Sequence, residues 1–366
     1  MISILLLLTS LIFFAFVLLN IAGWSKVGES GENPAGQVSV LIPARNEESN
    51  LAACLNAVLG QGRTVAEVLV YDDHSTDGTR RIINEYSERD SRVRAIETLP
   101  LAPGWCGKNF ACAQLAKAAM GNWLLFIDAD ARLAGGAVPR MLAEMERRRL
   151  KFLSCWPGLK MISFWERALM PMLNFVVLSI FPAAFSIHDD RPSLAIAHGA
   201  CLLFERESYH AIGGHAVVRD QIFEDVRLAQ LWRERGMRGL CLDGQNLVEV
   251  RMYTSFGEIR RGFQKNFFPA FRHEINFWIF ILFHTTVFLA PFFLLIIMPN
   301  GRLAVSAAII LLTRVCLAVY FHHPLWSAFL HPLSEMILIS IGLSSWRRCK
   351  SGKGVEWRGR QYYPVN

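Results

Sequence analysis

No Cys-x-x-Cys pair occurs among the 8 cysteines, and no histidine stands at zinc-finger spacing from them. That pattern speaks against a structural zinc site and against a redox dithiol. Cys54, Cys106, Cys112, Cys155, Cys201, Cys241, Cys316 and Cys349 therefore read as reduced, mostly buried thiols on a cytosolic face. Charge is scarce as well: 19% of the 366 residues are Asp, Glu, Lys or Arg against 52% hydrophobic, too greasy for a wholly soluble enzyme. Glycine (26) and proline (15) are ordinary in number, which excludes collagen-like and disordered classes. The net charge of +7 collects beside apolar runs and not in a basic, aromatic-studded groove. Such a distribution suits an anionic membrane surface and not nucleic acid. There is no internal repeat and no low-complexity tract.

What is present in excess is long hydrophobic sequence. Ile2 to Gly23 carries no charge and is long enough to cross a hydrocarbon layer of roughly 30 Å as a helix. A cleaved signal peptide is the competing reading. The absence of Lys or Arg before the run, its length, and Lys26 behind it favour an uncleaved anchor over residues 1–24, with the following domain inside. Apolar sequence returns after Phe271 as Ile275 to Met298, Leu303 to Phe321 and Leu325 to Leu343, a membrane region over residues 275–345. The first two blocks read as spans. The third contains His331, Pro332 and Glu335, costly at mid-bilayer, and is expected to be re-entrant or interfacial. Met161 to Phe185, broken by Glu166, Arg167, Pro171 and Pro182, is expected to lie at the membrane surface. A basic tail, residues 346–366, is expected in the cytosol.

Between these, after a linker from Gly28 to Gln37, the pattern becomes that of an α/β domain over residues 37–250. Strands are read at Val38 to Ile42, Val68 to Tyr71, Trp123 to Ile127 and Ala200 to Phe204. Helices are read at Glu47 to Leu59, Gly78 to Tyr86, Lys108 to Met120, Val138 to Arg149 and Glu224 to Arg235. This alternation predicts a mostly parallel sheet covered on both faces. In such sheets ligands bind at the carboxyl ends of strands. There the second strand delivers Asp72-Asp73, suited to hydrogen bonds from a base or ribose, while Asp77 also reads as a helix cap. The strand ending at Ile127 delivers Asp128-Ala129-Asp130. Two carboxylates one residue apart offer hard oxygen ligands to a divalent cation and leave positions for diphosphate oxygens. The ion would act on a departing nucleoside diphosphate as a Lewis acid.

The succession PARNEE, DDHSTDGT, GKNFACAQLAKAAMGNWLLFIDAD, GGH and ED, over about residues 37 to 270, resembles an inverting family-2 glycosyltransferase of GT-A fold. PLAPGWCGKNFAC, AHGACLLFERESYHAIGGH, MYTSFGEIRRGFQKN and VEWRGRQYY are similar to the membrane-bound carotenoid and hopanoid-associated glycosyltransferases, a group that includes diaponeurosporenoate glucosyltransferases. The resemblance implies that Pro43, Ala44 and Glu47 line the nucleotide pocket and that Asp72 and Asp73 contact base and ribose. It implies a basic residue near the donor at Lys108, a metal (Mn²⁺ or Mg²⁺) and diphosphate site at Asp128 and Asp130, and a general base at Asp225 of the Glu224-Asp225 pair. From the residues alone, an acidic pair at a helix start is most often a favourable helix-dipole arrangement.

The Q-x-x-R-W string of processive polysaccharide synthases is absent, which favours single-sugar transfer. Arg260, Arg261 and Gln264 fall in an amphipathic segment (251–272) that reads equally as an ordinary basic interfacial helix. Gly213 and Gly214 read as a tight turn before an acceptor-side loop. Trp105 reads as a stacking platform or a lid anchor. His215, with His74 and His198, reads most simply as a loop or core histidine. The resulting expectation is an inner-membrane enzyme moving one hexose from a nucleotide-diphospho-sugar to a lipophilic acceptor, with no nucleic-acid partner. A polyprenyl-phosphate glycosyltransferase and a non-catalytic nucleotide-sugar-binding membrane protein are the alternatives.

Overall fold

A computed structural model describes residues 1–29, 37–271, 273–357 and 360–362. Most of the linker from Gly28 to Gln37, and parts of the VEWRGRQYY tail, lie outside the described residues. The chain divides into two compact units, one of residues 25–160 and 186–252, the other of residues 1–24, 161–185 and 253–366.

Among its described residues, the first unit is built on ten strands. They are β1 (Val38–Ala44), β2 (Val65–Asp72), β3 (Val93–Ile96), β4 (Trp123–Ile127), β5 (Ala131–Leu133), β6 (Phe152–Trp156), β7 (Gly158–Leu159), β8 (Cys201–Glu205), β9 (Gly239–Asp243) and β10 (Val248–Val250). Seven form one sheet in the order β3-β2-β1-β4-β8-β6-β9, and β5, β10 and β7 form a second. β1, β2 and β4 are nearly continuous apolar runs because both of their faces are buried. The expected parallel arrangement holds for β3, β2, β1 and β4. It fails at β8, which runs antiparallel to both neighbours, β4 and β6. The sheet is therefore mixed. Its core stacks Phe152 on Phe204 at 4.6 Å between ring centroids, with Trp232 at 5.0 Å from Phe204.

The helix read from Glu47 begins only at Leu51. Asn46 adopts φ +54°, and the Glu47 and Glu48 amides donate to Thr79 Oγ1 (2.8 Å) and Asp77 Oδ2 (3.1 Å), so the first expected turn is a loop held by the β2 loop. The helices Thr79–Arg89, Gly107–Ala118, Ala137–Arg147 and Glu224–Glu234 lie close to the expected spans. All eight cysteines are free, five of them buried.

In the second unit, Ile2–Gly23, Glu274–Ile297 and Gly301–Tyr320 are long and apolar enough to cross a membrane. A π-helical turn over His284–Leu289 interrupts the second of these. The third C-terminal apolar block becomes a short helix, Trp326–Phe329, and a long one, His331–Lys350, which is not among those candidate spans. Its polar residues point into the unit. Glu335 Oε1 lies 2.7 Å from His284 Nδ1, His331 Nε2 donates to the Phe288 carbonyl (3.1 Å), and Ser334 donates to the Ala168 carbonyl (3.1 Å). Met161 to Phe185 is resolved into helices Phe164–Leu169 and Pro171–Ile180 and the start of Ala183–Ser186. Asn20 of the first helix donates to the carbonyls of Leu178 and Phe181, both at 2.8 Å.

Candidate active site

The loops leaving β1, β2 and β4 form one end of the parallel half of the sheet. Pro43 and Ala44 close β1, and Ala44 accepts from the Asp73 amide at 2.7 Å. Glu47 is buried and accepts from Asn50 Nδ2 (2.9 Å). Asp72 and Asp73 are both buried. The Asp72 carboxylate is engaged within its own loop, by Arg80 Nε at 2.9 Å and the Ser75 amide at 3.0 Å. Asp77 Oδ1 accepts from the Thr79 amide at 3.0 Å, while Gly78 stands at the cap position of the helix.

The densest grouping of charge lies at the end of β4. Asp128 donates its amide to Ala200 just before β8 (3.2 Å), so the antiparallel placement of β8 brings the 198–200 segment against the Asp128-Ala129-Asp130 loop. Lys108, from the first turn of Gly107–Ala118, sets its Nζ 2.8 Å from Asp128 Oδ1 and 3.0 Å from Glu224 Oε1. Burial works against this ammonium, but the two carboxylates outweigh it and hold its pKa well above the ordinary lysine value. Glu224 and Asp225 open the helix Glu224–Glu234, where the helix dipole favours negative charge. Asp225 Oδ1 accepts from the Val226 amide (2.8 Å). Burial, reinforced by the Glu224 charge and opposed by Lys108, pushes the Asp225 carboxyl up to about 7. Gly199 makes this packing possible, because a Cβ there would stand 3.0 Å from Lys108 Nζ and 3.2 Å from Asp225 Oδ2.

The structure thus gathers Lys108, Asp128, Glu224 and Asp225, which are dispersed over more than a hundred residues of sequence. It also adds His198, set aside in the sequence as a loop or core histidine. Burial, opposed by the Asp128 charge, lowers its imidazole to about 4. Its Nδ1 accepts from the Ala200 amide (3.3 Å), which leaves Nε2 as the protonated nitrogen of a neutral ring. Only its place three residues before β8 signals this position.

Other expected residues lie elsewhere. His215 is a core group, pushed down to about 3 by burial, 2.6 Å from the Tyr209 hydroxyl and tilted against the Phe126 ring at 4.8 Å between centroids. Gly213 and Gly214 have φ +89° and +52°. Trp105 packs its ring edge-on to Phe110 at 5.5 Å. Arg260 and Arg261 are exposed on the helix Phe256–Asn266 of the other unit, where Gln264 Nε2 meets Ser344 Oγ at 2.5 Å.

Asp128 and Asp130 offer hard oxygen donors. Cys54, whose Sγ lies 3.8 Å from the Asp128 carbonyl, is pushed up to about 12, chiefly by burial, and so remains a thiol. Among the described residues no three His, Cys, Asp or Glu side chains gather as a metal site. This donor set fits a hard dication such as Mg²⁺ or Mn²⁺ that takes its remaining ligands from phosphate oxygens and water.

The mixed sheet, with D-x-D at the end of β4 and an acidic pair opening the helix Glu224–Glu234, is the arrangement of a GT-A fold. Residues 39–213 match the family Glycosyl transferase family 2, so the chain carries a family 2 glycosyltransferase domain. It is 27% identical over 344 residues to the 4,4'-diaponeurosporenoate glycosyltransferase of Staphylococcus aureus strain USA300, covering 89% of this chain and 88% of that one. The protein of the same name from the bovine strain RF122 / ET3-1 is 27% identical over 343 residues, with the same coverage. Among solved structures, the mannosyltransferase PcManGT from Pyrobaculum calidifontis, in complex with GDP-Man and Mn²⁺, superposes with a TM-score of 0.56 at 18% identity. That match covers 94% of this chain and 99% of the other.

Proposed function

We propose that this glycosyltransferase moves one hexose, with inversion, from a nucleotide-diphospho-sugar to a lipophilic acceptor of the membrane. The observation that carries the reading is Asp225, a half-buried carboxyl pushed up to about 7 by desolvation and by the Glu224 charge, set beside the Lys108, Asp128 and Glu224 cluster. A base poised near the working pH is what removal of an acceptor proton needs. Asp225 takes the proton from the acceptor hydroxyl as its oxygen attacks the anomeric carbon. The bond from that carbon to the diphosphate oxygen breaks on the opposite face, and the nucleoside diphosphate leaves. Asp73 and Glu47 hold the nucleoside end, and Asp72 supports that loop through Arg80. Asp128 and Asp130 hold the divalent cation, which when bound supplies Lewis-acid stabilisation of the diphosphate.

The acceptor class rests on the relatives, whose name says that they glycosylate diaponeurosporenoate, and on three helices apolar enough to cross a bilayer. A carotenoid, a hopanoid or another membrane lipid with a hydroxyl or carboxyl group fits it. Lys26 behind the first span and the basic residues after Trp346 support an inner-membrane enzyme whose catalytic unit faces the cytosol. The test is transfer of radiolabelled sugar from a panel of nucleotide donors into organic-extractable lipid, with the anomeric configuration of the product read by NMR. Label confined to water-soluble polymer, or retained configuration at the anomeric carbon, would overturn the reading.

A further inference from the structure

We propose that Lys108 is the resident counter-cation of the donor site, holding Asp128 until a nucleoside diphosphate arrives and thereby making metal binding depend on the nucleotide. The inference rests on the reading of Asp128 and Asp130 as the metal and diphosphate site.

The Lys108 ammonium already occupies the coordination that a dication would seek, 2.8 Å from Asp128 Oδ1. Its second contact, Glu224 Oε1 at 3.0 Å, gives it a place to stay when Asp128 is taken. The root of the side chain is fixed, because the next residue, Asn109, donates to the carbonyls of Val218 (2.7 Å) and Gln221 (2.9 Å). Only the four-carbon stem needs to move. Arg132, the nearest cation along the β4 loop, is spent on the carbonyls of Ala129, Ala131 and Asn50 and does not compete for this carboxylate.

A dication entering alone meets Asp128 already neutralised and an ammonium at its side, and like charges at that separation repel. A diphosphate changes the balance because its oxygens can neutralise both cations together. Ion and nucleotide therefore bind with positive coupling, which thermodynamic linkage makes reciprocal. The same lysine keeps Asp128, Glu224 and Asp225 together before the donor enters, with Gly199 leaving the space in which its Nζ sits.

The test is a Mn²⁺ titration of the purified full chain in detergent, with free ion read by EPR, first alone and then with UDP, GDP, CDP, ADP and dTDP. Wild type is expected to bind Mn²⁺ about tenfold or more tightly with at least one diphosphate, within the usual range of coupling. Lys108→Gln is expected to bind Mn²⁺ alone about tenfold more tightly than wild type, with the gain from the diphosphate reduced. Lys108→Arg, which keeps the charge, should retain the wild-type coupling. A Lys108→Gln protein that binds Mn²⁺ alone no more tightly than wild type overturns the proposal. If that variant does not fold, loss of coupling in a monodisperse Lys108→Arg overturns it as well. A wild type that binds no Mn²⁺ with any diphosphate overturns the metal-site reading and this inference together, whereas binding without a Lys108 effect removes the inference alone.

Discussion

Burial beside Glu224 brings Asp225 into the range where a base both takes and releases a proton near neutrality. Asp225→Asn should lower the rate by about 10²-fold or more, the usual scale for loss of a general base, with nucleotide affinity nearly unchanged. A fully active variant on a hydroxyl acceptor would assign the base elsewhere; activity kept only on a carboxylate acceptor would mean that none is needed. The pH profile has a definite sign. The base must be deprotonated, so kcat/KM should rise with pH through about 7, and this limb should vanish in Asp225→Asn. The same carboxyl holds its proton more tightly folded than unfolded. The stability it contributes is present below the ordinary aspartate value, about 4, and is lost as pH rises through about 7. Thermal melts should show this fall in wild type and not in Asp225→Asn. For the metal, Asp130→Ala should abolish turnover in a folded protein, and EDTA should silence the wild type until Mn²⁺ or Mg²⁺ is restored. Full turnover in metal-free buffer would end the metal-dependent mechanism.

At the scale of elements, β1, β2, β4 and β8 were legible because each is a short apolar run ending at a polar loop. β6 and β9 were not. Phe152–Trp156 follows closely on an arginine-rich helix end, and Gly239–Asp243 opens on a glycine, so neither carries the turn-bounded apolar signal of the others. The antiparallel direction of β8 was also hidden, because strand polarity is decided by connections and not by composition. That one direction explains why His198 reads in the sequence as a loop or core histidine: nothing local tells that its loop folds back onto Asp128. The Asp128 and Asp130 pair was visible from its spacing, whereas the Lys108 contact with Glu224 depends on tertiary packing. The 213–214 turn yields a prediction here. Gly214 has φ +52°, and a Cβ on it would stand 2.4 Å from the Tyr209 ring, inside the Tyr209–His215 contact. Gly214→Ala should destabilise the protein by about 1–3 kcal/mol, seen as a lower melting temperature; an unchanged melt would mean that the turn relaxes freely.

For the whole molecule, the proposed topology rests on three candidate spans among the described residues. One span leads into the catalytic sequence, and the hairpin of Glu274–Ile297 and Gly301–Tyr320 returns the chain to the side it left. His331, Ser334 and Glu335 each make a hydrogen bond within their unit, and the helix His331–Lys350 is not among the candidate spans. A single cysteine near Asn366 should therefore resist an impermeant reagent applied to intact cells. Labelling from outside would mean a further full crossing and would remove the tail from any catalytic role. The division into units has another consequence, for synthesis. The chain passes between them four times, after residues 24, 160, 185 and 252. The ribosome therefore releases β6 and β7, then residues 161–185, and only afterwards β8, which joins β4 to β6. No trimming of either end isolates the catalytic unit. A soluble version must excise residues 161–185 and rejoin Lys160 to Ser186. Until residue 205 has emerged, β4 waits with an unpaired edge, which makes this stretch the one at which a nascent chain most needs shielding from its neighbours.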